Sequence, residues 1–132
     1  MNRLSLIVVT CVVLFGCTEN SKKHVNTKHV KNIKFMGQVV SAKNIRDTVE
    51  TLIKAERFRE AHSLIDSLIV ANKDNGFLYY ERGFIKGFES ENESAISDFK
   101  TAEALHYNRH KCERMIFFDE GAIKVDERSK RN

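Results

Sequence analysis

The chain has 132 residues, a formal charge of +4 and a pI near 9.0, so one small domain is expected. That charge excess is too small to point to nucleic acid without a concentrated basic patch. Hydrophobic residues at 42% and charged residues at 30% are ordinary globular proportions, and the absence of proline removes the strongest helix breaker.

Met1-Asn2-Arg3 leads into the apolar run "LSLIVVTCVVLF", which ends at Gly16 and Cys17. One positive charge, a short apolar core and a small residue before a polar break form the pattern of a secretory signal. The competing reading, an uncleaved anchor, needs about 20 apolar residues and a cationic stop, whereas this chain turns polar at Thr18 and has no cation until Lys22. Leu14-Phe15-Gly16-Cys17 resembles the lipobox of bacterial lipoproteins, with Leu14, Gly16 and Cys17 in register and Phe15 departing from the usual small residue. The resemblance implies a signal peptide over 1–16 and a diacylglyceryl thioether on Cys17. It also implies cleavage before that cysteine and a palmitate-type acyl group on the new amino terminus. Two or three acyl chains hold a protein stably on a bilayer, at about 0.8 kcal/mol per buried methylene. Thr18, rather than an aspartate, follows Cys17. By resemblance to enterobacterial sorting, this implies an outer-membrane lipoprotein facing the periplasm. Cys11 then leaves with the signal, Cys17 is lipidated, and Cys112 remains without an intramolecular disulfide partner.

Residues 17–40 read as the lipidated terminus and a basic tether. Lys22, Lys23, Lys28, Lys31 and Lys34 face a single acid, Glu19. Such a strip is a solvated spacer, and close to anionic headgroups each lysine adds about 1 kcal/mol of attraction. "IKFMGQVVS" at 33–41 is either a short strand or an extended segment packed on the domain.

A helical period starts at Ser41. Ile45, Val49, Leu52 and Ile53 form one apolar stripe, with Asn44 and Asp47 spaced as a cap pair. After "KAERF", Phe58, Ala61, Leu64, Ile65, Leu68 and Ile69 form a second. "NKDNG" at 72–76 reads as a turn. Phe77, Tyr80, Phe84 and Phe88 make a third stripe. Ser90 and Glu93 are spaced like a capping box before a fourth stripe of Ala95, Ile96, Phe99, Ala102 and Leu105. Four helices of roughly 11–15 residues joined by short turns pack as antiparallel neighbours, and the fold class is all-α.

At an offset of 34 residues Ala61 falls on Ala95, Ile65 on Phe99, Leu68 on Ala102 and Val49 on Gly83. Ile45 falls likewise on Tyr79. Helix pairs repeating at this period resemble the tetratricopeptide repeat. Tyr79, Gly83, Ala95, Phe99 and Ala102 carry the resemblance in the second copy. Ile45, Val49, Ala61 and Ile65 carry it in the first. Arg82 and Lys86 depart from it, and no proline closes either copy. The resemblance implies two helix pairs over 41–108; a plain four-helix bundle is the alternative. From Arg109, Cys112, Met115, Ile116, Ala122 and Ile123 mark one face of a capping helix with a polar outer side, interrupted at Asp119 and ending near Val125. Residues 109–132 thus hold that helix and a frayed charged tail, and Cys112 is expected in the core.

No catalytic set emerges. Gly83 and Gly87 stand alone rather than forming a phosphate loop, and Ser63 and Ser67 have only the adjacent His62 as a base. His106, His110 and Cys112 are the best metal candidates, but a turn separates the histidines and a fourth ligand is missing. The expectation is a non-enzyme with no cofactor, metal or small-molecule substrate, and no nucleic-acid partner. Resemblance to the repeat family implies a groove lined by the first helix of each pair. Lys43 and Arg46 would line it from the first pair, Phe77, Tyr80 and Phe84 from the second, and another envelope protein or peptide would be held there; the competing reading packs most of the aromatic strip, Phe84 and Phe88 above all, inside the domain and leaves Tyr80 and Phe77 as the exposed contacts. Its charges do not match the two-lysine, two-asparagine carboxylate clamp of some relatives. The reading is an envelope adaptor anchored through Cys17; the alternative is an immunity or exclusion lipoprotein that neutralises one toxin or phage protein.

Overall fold

The computed structural model describes residues 32–131. The signal segment, Cys17 and the tether as far as Lys31 lie outside the described residues. A hairpin of β1 (Ile33–Phe35) and β2 (Gln38–Val40) precedes five helices: α1 (Ala42–Lys54), α2 (Phe58–Ala71), α3 (Gly76–Phe88), α4 (Asn92–Ala104) and α5 (Arg109–Ser129). The strands are antiparallel, with Ile33 opposite Val40 and Phe35 opposite Gln38. Met36 and Gly37 turn the hairpin with φ of 48° and 81°, the left-handed pair that matches strand twist. Part of the segment read as tether is therefore folded on the domain. Ile33 is 1% exposed, and Lys34 exchanges backbone hydrogen bonds with the Asn72 side chain at 2.9 and 2.8 Å.

The 34-residue offset holds in the backbone. α1 and α3 begin and end 34 residues apart, and the links after them close with the same bonds. Glu56 N–H donates to Ile53, Arg57 to Leu52 and Ala61 to Arg57; Ser90, Glu91 and Ala95 repeat these to Gly87, Lys86 and Glu91. Glu56 and Ser90 both sit at positive φ, 56° and 63°. The N-caps repeat too: Ser41 accepts from Lys43 N–H and Asn75 from Phe77 N–H. These caps differ from the sequence expectation. Asn44 and Asp47 lie inside α1, and Ser90 is consumed by the left-handed link, so no capping box forms and Glu91 caps α4 without a side-chain bond.

Small residues set the spacing of α3 and α4, which run antiparallel. A Cβ at Gly83 would lie 2.9 Å from the Phe99 ring and 3.1 Å from the Ala95 carbonyl. One at Gly76 would lie 2.7 Å from the Ala102 carbonyl. Ala61, Ile65, Val49, Ala95, Phe99 and Ala102 are all completely buried. The departures at Arg82 and Lys86 have a local reason. Both pair with the buried Asp98 of α4, at 2.7 and 2.8 Å, and Arg82 also reaches Asp66 of α2 at 3.1 Å. An ion network replaces apolar contact at this junction and ties three helices together.

α5 packs on α4 and differs from the expected cap in two ways. It runs to Ser129 rather than stopping near Val125, with Asp126 and Lys130 paired across its last turn. Its outer side is largely polar, with Glu113, Arg114, Glu120 and Lys124 exposed, but it also carries apolar residues: Phe117, Phe118 and Val125 are 79%, 70% and 67% exposed.

Candidate docking site

The fold brings three of the expected groove residues, Arg46, Phe77 and Tyr80, together but turns them toward the interior. Phe77 is fully buried, edge-on to Tyr107 at 5.9 Å, and unavailable to a partner. The reason is position: α3 is enclosed by neighbours, so it buries Leu78, Glu81 and Ile85 as well as Phe77 and has no single solvent face. Arg46 is also committed internally. Its Nε donates to Glu81 Oε1 at 2.8 Å, Nη2 donates to the same oxygen and to the Tyr107 hydroxyl at 3.3 Å, and the guanidinium lies 5.2 Å from the Phe77 ring centre. Burial opposes its charge, but Glu81 outweighs burial and raises the Arg46 pKa above its usual value. Burial pushes the Glu81 carboxyl up, with Arg46 pulling it back. Tyr80 is half-buried between Phe99 and Tyr107, at 5.4 and 5.0 Å, and burial pushes its phenol up to about 12. Phe84 packs against Phe88 at 5.1 Å, and Phe88 is largely exposed. Of the five, Lys43 alone is well exposed, paired with Asp47 one turn along α1. The cluster pins α1 to α3 and to the α4–α5 link; it is packing before it is a binding surface.

The metal candidates differ in burial, with His106 and His110 exposed and Cys112 buried. Cys112 is buried and free, its thiol raised to about 11 by burial and by Glu103, while His110 is exposed and 3.6 Å from Glu113. Among the described residues no group of three or more His, Cys, Asp or Glu side chains is arranged to hold a metal. Among the same residues no helix is long and apolar enough to cross a membrane.

An open groove of about 1340 Å³ lies where the start of α4 meets the second half of α5. Phe117, Phe118, Ala122, Ile123 and Val125 supply its apolar wall. Its rim carries Glu91, Glu93, Asp126 and Glu127 against one cation, Lys130, already bonded to Asp126 at 2.7 Å. Aromatic side chains standing in water beside a concavity mark an interaction surface more often than an ordinary monomer face. Beneath α5, Asp119 is 1% exposed and faces Gly87 of α3; its Oδ2 has no hydrogen-bond partner among the described residues, and burial raises its pKa. The sequence carried the signal for this groove in "MIFFDE", where Phe117 and Phe118 fall off the Cys112–Met115–Ile116 stripe. The chain matches no protein-family model, no curated protein and no solved structure.

Proposed function

We propose that this chain is a lipid-anchored docking module of the bacterial cell envelope, with a small tetratricopeptide-like domain carried on Cys17. The observation that carries the reading is the exposed Phe117–Phe118–Val125 wall beside the groove at the α4–α5 junction. A capping helix normally meets water with polar residues. α5 also presents two phenylalanines, with acids around them. An amphipathic segment laid in that groove would bury the aromatic rings and meet the acids with its own cations. The docking surface thus shifts from the α1–α3 face to the outer side of α5. The lipobox-like Leu14–Cys17 supports placement at a membrane.

Affinity capture from detergent-solubilised membranes tests the function. A specific co-purifying protein is expected with the native chain, lost with Phe117→Ser/Phe118→Ser and retained with Tyr79→Phe. Equal capture by the native chain and the double variant overturns the reading.

A further inference from the structure

We propose that the β1–β2 hairpin is a membrane contact in its own right. Its tip, Met36, and its outward pair, Lys34 and Val39, rest in the headgroup layer of an anionic bilayer. The inference rests on the lipid-anchored reading above and adds to it an orientation of the domain.

The hairpin has two unlike faces. Lys34 stands opposite Val39, between the pairs Ile33–Val40 and Phe35–Gln38. Side chains alternate across a strand, so Lys34 and Val39 share the face turned away from Ile33. Ile33 is buried, and Phe35 and Val40 pack against the core. Lys34, Met36 and Val39 are exposed, Met36 at 89% more than any other large apolar side chain described. Met36 also holds φ at 48°, where glycine or asparagine is the ordinary choice. A turn in water gains nothing from a methionine there, whereas a flexible thioether suits an irregular apolar boundary. Val70, two residues before the Asn72 that holds Lys34, is exposed at the same end of the domain.

Charge selects the bilayer among possible occupants. Lys34, Lys43 and Lys73 lie around the hairpin with Asp47 and Asp74, and residues 18–31 add Lys22, Lys23, Lys28 and Lys31 against Glu19. This end of the domain is therefore basic. The groove carries Glu91, Glu93, Asp126 and Glu127 against Lys130. An anionic surface attracts the first end and repels the second. A second copy laid hairpin to hairpin would set lysines against lysines, and strands of three residues offer little to pair with.

Position agrees with charge. The hairpin is the first described element after Cys17, and a chain anchored there keeps Ile33 within at most about 55 Å of the bilayer. Asn72 ties the hairpin to the turn before α3, where Asn75 N–H donates to the Asn72 carbonyl at 3.0 Å. A Cβ on the adjoining Gly76 would lie 2.7 Å from the Ala102 carbonyl, at the C-terminal end of α4. The groove opens at the other end of α4, one helix length away, or about 20 Å for 13 residues. Seating the hairpin on headgroups thus tips the acid-rimmed groove toward water, where a partner can reach it.

The chain has no tryptophan, so a single introduced one is a unique fluorescent reporter. Met36→Trp, Val39→Trp and Phe118→Trp are each made in the full chain, purified from membranes and reconstituted in vesicles of phosphatidylcholine and phosphatidylglycerol brominated near the headgroup. Fluorescence is expected to be lost at positions 36 and 39 and kept at position 118. The loss should shrink when phosphatidylglycerol is left out. The inference is overturned if positions 36 and 39 keep their fluorescence, lose no more than position 118, or lose as much in phosphatidylcholine alone. Flotation of the same samples separates the two readings. A chain that does not float with the vesicles overturns the lipid anchor and the hairpin contact together. One that floats with positions 36 and 39 unquenched overturns the hairpin contact alone.

Discussion

Gly83→Ala tests whether close helix approach, rather than helix propensity, decides the α3–α4 junction. In an unconstrained helix interior, replacing glycine by alanine stabilises by about 1 kcal/mol. At Gly83 the new methyl would meet the Phe99 ring at 2.9 and 3.1 Å and the Ala95 carbonyl at 3.1 Å, and both neighbours belong to a fully buried layer. Overpacking of this kind costs about 1–3 kcal/mol. The net expectation is destabilisation of up to about 2 kcal/mol. Gly121 on α5 is the matched control, since nothing lies within 4 Å of its added methyl, and Gly121→Ala should stabilise by about 1 kcal/mol. Urea unfolding followed by far-ultraviolet circular dichroism separates the two by the sign of the midpoint shift. If Gly83→Ala stabilises as much as Gly121→Ala, α3 and α4 are not in close contact there and the nested-pair packing is wrong.

Arg46→Ala strands the Glu81 carboxylate in the core and is expected to cost about 3–5 kcal/mol in denaturant unfolding; Arg46→Met/Glu81→Leu should recover most of that loss. Asp119 has a folded pKa above its unfolded value, so the folded state binds the extra proton and stability falls as pH rises through the interval between the two. Asp119→Asn removes the titration and should flatten that part of the stability–pH curve, which paired melts at pH 4 and pH 7 would reveal. The Cys112 thiol, buried and raised to about 11, should resist maleimide at pH 7.5 in the folded protein and react fully in urea. Phe118→Ser should shift the unfolding midpoint by less than about 0.5 kcal/mol, because the ring is 70% exposed.

Periodicity in the sequence locates each of the five helices among the described residues. The 34-residue offset matched backbone geometry because the paired small and large residues, Ala61 with Ala95 and Ile65 with Phe99, occupy equivalent buried positions. Solvent-facing sides were less legible. On α3 periodicity marks a single stripe, yet an enclosed helix buries several, so Phe77 packs on Tyr107 rather than facing outward. Arg46 looked like a surface cation because its partner, Glu81, lies 35 residues away on a different helix and pairing at that range leaves no local pattern. On α5, Phe117 and Phe118 stand outside the apolar stripe, a visible departure whose meaning depends on α4 beginning beside them. Asp119 interrupted the same stripe for a three-dimensional reason, its seat against Gly87. Asp98 drew Arg82 and Lys86 inward, turning two departures from the repeat pattern into one ion network.

The most direct measurement places a photoreactive residue at Phe118, and separately at Lys43, in the full chain in native membranes. An intermolecular adduct from position 118 and none from position 43 is predicted. An adduct from position 43 alone would return the docking face to α1 and contradict the account.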